Sequence, residues 1–128
     1  MQQSHTHLAR SGPLEIRVLW GVAAGAALAA AIALAGPLAP VLLASLVAPD
    51  LALLAGIDRN LAPGQIAPRG VPVYNAVHRV WGPVLVAALA PALGATALVV
   101  ALGWFAHVAV DRVCGYGLRT PEGFQRDS

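Results

Sequence analysis

The chain has 128 residues, of which 58% are hydrophobic and 11% charged, and its net charge is +2. That excludes a soluble domain, whose wet surface takes about a quarter of its residues as charges. It also excludes nucleic-acid binding, which needs a clustered basic face rather than eight scattered arginines. The single Cys114 excludes an intramolecular disulfide. All eight basic residues are Arg and the apolar surplus is mainly Ala, Leu and Val, a bias that points to GC-rich coding and a bacterial source.

No charged residue occurs from 18 to 49 or from 80 to 110. Each run far exceeds the roughly 20 apolar residues of one bilayer crossing, so each is expected to hold two spans. The fold class is therefore an all-α, four-transmembrane-helix bundle, built as one integral membrane domain over 1–128. In hydrocarbon every backbone group must be satisfied within its own helix, so reversals belong at the interface. Gly36-Pro37 in the first run and Pro91 with Gly94 in the second are suited to such turns. The spans are predicted at about 15–35, 38–57, 73–90 and 93–113. Arg10 and Arg17 ahead of Ala33-Leu34-Ala35 also outline a signal peptide. The apolar stretch is longer than a signal core of roughly 7–15 residues, so a retained first span is expected. Gly21 and Gly25 give that span a small-xxx-small spacing for close packing inside the bundle.

Arginine placement sets the orientation. Arg10 and Arg17 precede the first span, Arg59 and Arg69 lie between the second and third, and Arg112, Arg119 and Arg126 end or follow the fourth. The other two turns carry no charge. The positive-inside rule then places both termini and the loop 58–70 in the cytoplasm, in a multi-pass protein of the inner (cytoplasmic) membrane. Trp20 and Tyr116 read as interfacial aromatic anchors, the tail from Gly115 as an interfacial segment, and His5 and His7 as residues without a role.

Ionisable groups inside spans are expensive and mark functional candidates. Asp50 precedes the cytoplasmic end of span 2 by seven residues, His78 follows the start of span 3 by five, and His107 precedes the end of span 4 by six. At about 1.5 Å per residue all three lie about 8–11 Å inside the same boundary. His107 and Asp111 are spaced i, i+4 and share a face, as do Tyr74 with His78 and Asn75 with Arg79. Trp104, one turn deeper than His107, would wall the pocket. Two imidazoles and two carboxylates suit a divalent transition metal (zinc, manganese or iron) held by Asp50, His78, His107 and Asp111. The same residues also fit two buried His–Asp hydrogen bonds with no ion, or Asp50 paired with Arg79 or Arg112. Arg79 and Arg112 point about 100° from the ligands that precede them, toward lipid phosphates or an anionic headgroup at the site mouth.

Three segments and a tail carry a resemblance: Ala48-Pro49-Asp50-Leu51, Val73-Tyr74-Asn75-Ala76-Val77-His78, Trp104-Phe105-Ala106-His107-Val108-Ala109-Val110-Asp111-Arg112, and Gly115-Tyr116-Gly117-Leu118-Arg119-Thr120-Pro121-Glu122-Gly123-Phe124. From about Ala48 onward the chain resembles a family of small bacterial four-helix membrane proteins, domain of unknown function 4260, with Arg119 where a lysine is usual. A more distant resemblance, to membrane-bound metal-dependent hydrolases, rests on Pro49-Asp50, His78 and His107 with Asp111, without the fuller His/Asp cluster those proteins show after the first Asp. It implies a hydrolytic metal site in which Asp50 or Asp111 acts as base.

The leading expectation is accordingly a metal-dependent hydrolase of a lipid headgroup or other membrane substrate. The alternative is a non-catalytic subunit or scaffold whose polar layer fixes helix packing and whose tail docks another membrane protein. A proton or ion pathway is disfavoured, because the outer half of every span lacks an ionisable residue to continue a relay.

Overall fold

The computed structural model describes residues 13–126, so Arg10, His5 and His7 lie outside the described residues. The architecture is helical, with helices α1 Leu14–Ala35, α2 Ala39–Val47, α3 Val71–Val77, α4 Trp81–Leu93 and α5 Ala95–Cys114. Tight 3₁₀ segments extend them at Gly36–Leu38, Ala48–Gly56 and Pro68–Gly70. Among the described residues, three continuous helical runs are long and apolar enough to cross a membrane: Leu14–Gly56, Pro68–Leu93 and Ala95–Cys114.

The first of these runs has 43 residues, about twice what one crossing needs. It doubles back at Gly36, whose φ of 47° is open to glycine and costly for other residues. Beyond the turn, α2 and the 3₁₀ segment together reach about 30 Å at roughly 1.5 and 2.0 Å per residue, the thickness of a hydrocarbon core. The second reversal is at Gly94 (φ 96°), and Pro91 is carried inside α4 instead of breaking it. A proline one turn from a helix end removes a single donor and kinks little when the glycine beyond it takes the turn.

α5 is the hub, against which α1, α2 and α4 pack. Arg17 on α1 donates from Nε to Val113 O at 2.8 Å, while Ala31 and Ala35 meet Val99 at the far end, so α1 runs antiparallel to α5. Leu42 meets Val99, and Leu46 is joined to His107, so α2 runs parallel to it. The α1 stripe that turns inward is Ala24, Ala27, Ala31 and Ala35, a row of small side chains that brings backbones close. Gly21 and Gly25 lie beside that stripe, and a Cβ on Gly25 would meet nothing within 4 Å. Outward, Leu19, Val22, Ile32, Leu34, Leu43, Val47, Leu85 and Leu89 are exposed. Such a surface is stable in lipid and would aggregate in water.

The loop after Gly56 and the tail after α5 fold over the charged end of the bundle. Gly115 closes α5 in the left-handed region (φ 88°), with its N–H on Arg112 O and that of Tyr116 on Asp111 O at 2.8 Å, a Schellman cap. The tail then forms a small hairpin bridged at Arg119 and Gln125. Ile66 donates to Gly123 O at 3.0 Å, and Asn75 clamps Arg119 by accepting its N–H at 2.7 Å and donating to its carbonyl at 3.0 Å. In the loop, the Asn60 N–H and then the Arg69 guanidinium hold the exposed Asp58 carboxyl below the usual carboxylate range.

Helix contact at the hub is closest where Gly103 faces α2, since a Cβ there would collide with Ser45 Oγ and approach Leu42 Cδ1 to 3.1 Å. Gly103→Ala should destabilise the bundle by about 1–3 kcal/mol through overpacking. Thermal unfolding in mild detergent checks this, and Gly103→Ala/Ser45→Gly should recover most of the loss.

Candidate metal centre

Two prolines prepare this site. Pro49 has no N–H, and its ring excludes the carbonyl four residues back, so α2 stops at Val47 and the chain tightens into 3₁₀ form. With i+3 pairing, the carbonyl of Leu46 faces position 49, which has no hydrogen to give. His107 on α5 supplies one, donating from Nδ1 to Leu46 O at 2.7 Å. Pro83 acts likewise on the third leg. Inside a continuous helix it would leave the Arg79 carbonyl without its i+4 donor; here the leg breaks at 78–80, Gly82 N–H meets Arg79 O at 3.3 Å, and Pro83 falls in the first turn of α4.

Side chains meet the carbonyls around that break. Tyr74 O receives the Nδ1–H of His78 at 2.8 Å as well as its backbone N–H at 3.1 Å. Val77 O receives Trp104 Nε1 at 2.6 Å, and His78 O receives Arg112 at 3.1 Å. Trp104 reaches Val77 across Gly82, where a Cβ would come within 2.6 Å of the indole.

A carbonyl oxygen only accepts, so both Nδ1 atoms carry a hydrogen and each neutral imidazole turns a bare Nε2 lone pair inward. His78 Nε2 lies 3.6 Å from Asp50 Oδ1 and 3.6 Å from Asp111 Oδ2. His107 Nε2 lies 3.4 Å from each. Both Nε2 atoms are buried with no hydrogen-bond partner. Four acceptors therefore face one another with no donor among them, an arrangement that repels itself unless a cation or added protons sit between. Atoms about 2.0–2.2 Å from a tetrahedral zinc ion are about 3.3–3.6 Å apart, and all four nitrogen–oxygen distances fall there. Asp50, His78 and His107 lie close enough to hold one metal ion, each with a ligand atom within 4.8 Å of the others.

Exposure grades across the group. The His78 side chain is 1% exposed, that of Asp111 20% and that of Asp50 54%, so the centre is shut toward α3 and open along Asp50. Tyr74 stacks on His78 at 3.9 Å between ring centroids, and the Arg119 guanidinium lies 4.8 Å from the Tyr74 centroid. That stack holds the imidazole plane from behind.

A family model described as a domain of unknown function, number 4260, matches residues 16–128. The chain belongs to that family. No curated protein and no solved structure matches it. The family description carries no activity.

Of the residues singled out in sequence, Asp50, His78, His107 and Asp111 meet at this centre. Tyr74 backs His78, Asn75 clamps the tail, and Trp104 caps a carbonyl. Arg112 bonds the carbonyls of His78 and Tyr116, so its guanidinium fixes backbone beside the centre. Arg79 is exposed and borders a groove of about 830 Å³ with Trp81, Arg119 and Arg126. Sequence reasoning gave no site role to Arg119 or Gln125, which the tail hairpin brings to the rim beside Tyr116. The signal available was the tail motif itself, whose fold back over the bundle depends on Gly115 and Gly123 adopting positive φ.

If Pro49 sets the imidazole, Pro49→Ala should lower metal affinity about 10–100-fold, the usual cost of disturbing the partners that orient a ligand. An N–H at position 49 would compete for Leu46 O and leave His107 free to turn. Competitive titration with a zinc chelator measures this, and an unchanged affinity would separate the proline from the tautomer.

Proposed function

We propose that this family member is a metal-dependent hydrolase of a membrane substrate, lying in the inner membrane with both termini in the cytoplasm. The carrying observation is the all-acceptor centre: two buried Nε2 lone pairs facing two carboxylates with no donor among them. His78, His107 and Asp111 would hold the ion, zinc being the best match to the spacing among zinc, manganese and iron. Asp50 would act as base. The assignment follows exposure and support: Asp111 sits on the rigid hub one turn from His107, while Asp50 reaches the open side from the 3₁₀ segment.

A bound divalent ion supplies a water of near-neutral pKa and a Lewis acid for a polarised acyl or phosphoryl oxygen. The chain does the rest. Asp50 would accept the proton of the attacking water, the buried His78 and His107 close the inner side of the centre, and the Arg112 bonds hold the His78 backbone in register. Arg79, at the charged boundary, suits contact with lipid phosphates.

The competing reading is a scaffold in which two imidazolium–carboxylate pairs lock the helices. It is favoured by each ring's lying equally far from the two carboxylates, 3.6 Å for His78 and 3.4 Å for His107. Metal content decides between them. Purified wild type should carry about one transition-metal ion per chain, His78→Ala and His107→Ala should carry almost none, and Asp50→Asn should keep the ion. A metal-free wild type that refuses zinc, manganese and iron would establish the scaffold.

A further inference from the structure

The centre lies where two cavities of opposite character meet. One is an apolar crevice of about 450 Å³ between α1, α2 and α5, walled by Ala24, Gly25, Leu28, Leu46 and Val110. Its floor is Asp50, His107 and Asp111. The other, of about 310 Å³, opens toward the tail hairpin and is bordered by Tyr74, Tyr116, Arg119 and Gln125, and it shares Asp50 and Asp111 with the first. The two carboxylates are thus the only lining residues common to both, and anything that spans the cavities crosses the metal position.

We propose that the substrate is an amphiphile with an anionic headgroup, its acyl chain lying in the α1–α2 crevice and its head in the polar cavity beside Arg119. This rests on the hydrolase reading above and adds the identity of what is bound. Three observations converge. The crevice wall carries no polar side chain away from its floor, and Leu28 and Val110 at its edge are themselves exposed, so the crevice opens sideways onto the lipid-facing surface. The polar cavity offers donors to a head: two tyrosine hydroxyls, the Gln125 amide and a guanidinium. Arg119 is the one cation there, and its buried Nε has no hydrogen-bond partner although its NH1 bonds Gly64 O and Gly123 O. The guanidinium so anchored at the cavity wall is a preorganised, charge-assisted partner for an anionic oxygen.

Gly25 makes the idea testable without harming the centre. A Cβ there meets nothing within 4 Å, so Gly25→Leu fills the crevice rather than the helix contact. The experiment places full-length protein in phosphatidylcholine nanodiscs with lysophosphatidic acid carrying a photoreactive group on its acyl chain. Lysophosphatidylcholine with the same chain, and excess inorganic phosphate, serve as comparisons. Adducts on crevice residues such as Leu28, Leu46 and Val110 are expected. Labelling should fall at least tenfold in Gly25→Leu, while bound metal per chain stays at the wild-type value. Arg119→Gln should erase the preference for the phosphate head over the choline head. Should Gly25→Leu lose metal along with lipid, Leu28→Phe repeats the test from the next turn.

Adducts spread over outward residues such as Leu34 and Leu43, or full labelling in both narrowed variants, would overturn the chain path. Equal labelling by the choline lipid would overturn the anionic head, and competition by inorganic phosphate that leaves the chain adducts scattered would assign Arg119 to free phosphate. Because labelling and metal content are measured separately, wild type that labels without metal would fail the hydrolase and keep the lipid site.

Discussion

A backbone carbonyl in hydrocarbon has no water to turn to, and this protein is arranged around a few that its own helices abandon. Pro49 and Pro83 each withhold an N–H, and the helices ahead of them stop at Val47 and Val77. The stranded oxygens of Leu46, Val77 and His78 are then met from side chains: His107 through Nδ1, Trp104 through its indole, Arg112 through its guanidinium. All three donors come from α5. A helix break that would be a defect in lipid thereby selects the tautomer of His107, while the Tyr74 carbonyl, already bonded within its own helix, selects that of His78, and both lone pairs aim at the same point.

That economy explains why α5 is both hub and chemical scaffold. Trp104, His107 and Asp111 recur at three- and four-residue intervals, so one face of a single helix carries a cap, an imidazole and a carboxylate. The opposite face takes the alanine stripe of α1. Close packing on one side keeps the other rigid, which a ligand set requires if it is to hold donors within a few tenths of an ångström. Asp50, by contrast, comes from a 3₁₀ segment, whose hydrogen-bond geometry is poorer. The proposed hydrolase would thus take two of its ligands from the hub and its base from a less regular leg.

The helical, membrane-crossing character could be read directly from two long uncharged runs, because hydrocarbon tolerates so few alternatives. The four polar residues were also legible, through the cost of placing ionisable groups in spans and the matching depths of Asp50, His78 and His107. What periodicity could not deliver was the local backbone. The stretch 73–90 reads as one helix, yet Pro83 divides it, and Pro91 reads as a turn, yet the helix runs through it to Gly94. Proline's effect depends on whether its neighbours can be re-satisfied, which is a tertiary matter. Arg119 was invisible for a similar reason: its place beside the centre is set by two glycine turns and the clamp from Asn75, contacts between positions more than 40 residues apart.

The donors of the centre belong to three legs that leave the ribosome in sequence, and the hairpin that borders its wet mouth follows the last of them. Chains grow and fold from the N-terminus, so the nascent protein passes through a stage with Asp50 and His78 in the bilayer and neither His107 nor Asp111 beside them. During that interval the Leu46 carbonyl lacks its imidazole and the break at 78–80 lacks its indole and guanidinium. Biogenesis therefore contains a vulnerable window that closes only when α5 inserts. A membrane insertase or quality-control protease that senses unsatisfied polar groups would meet this protein there, before any ion does.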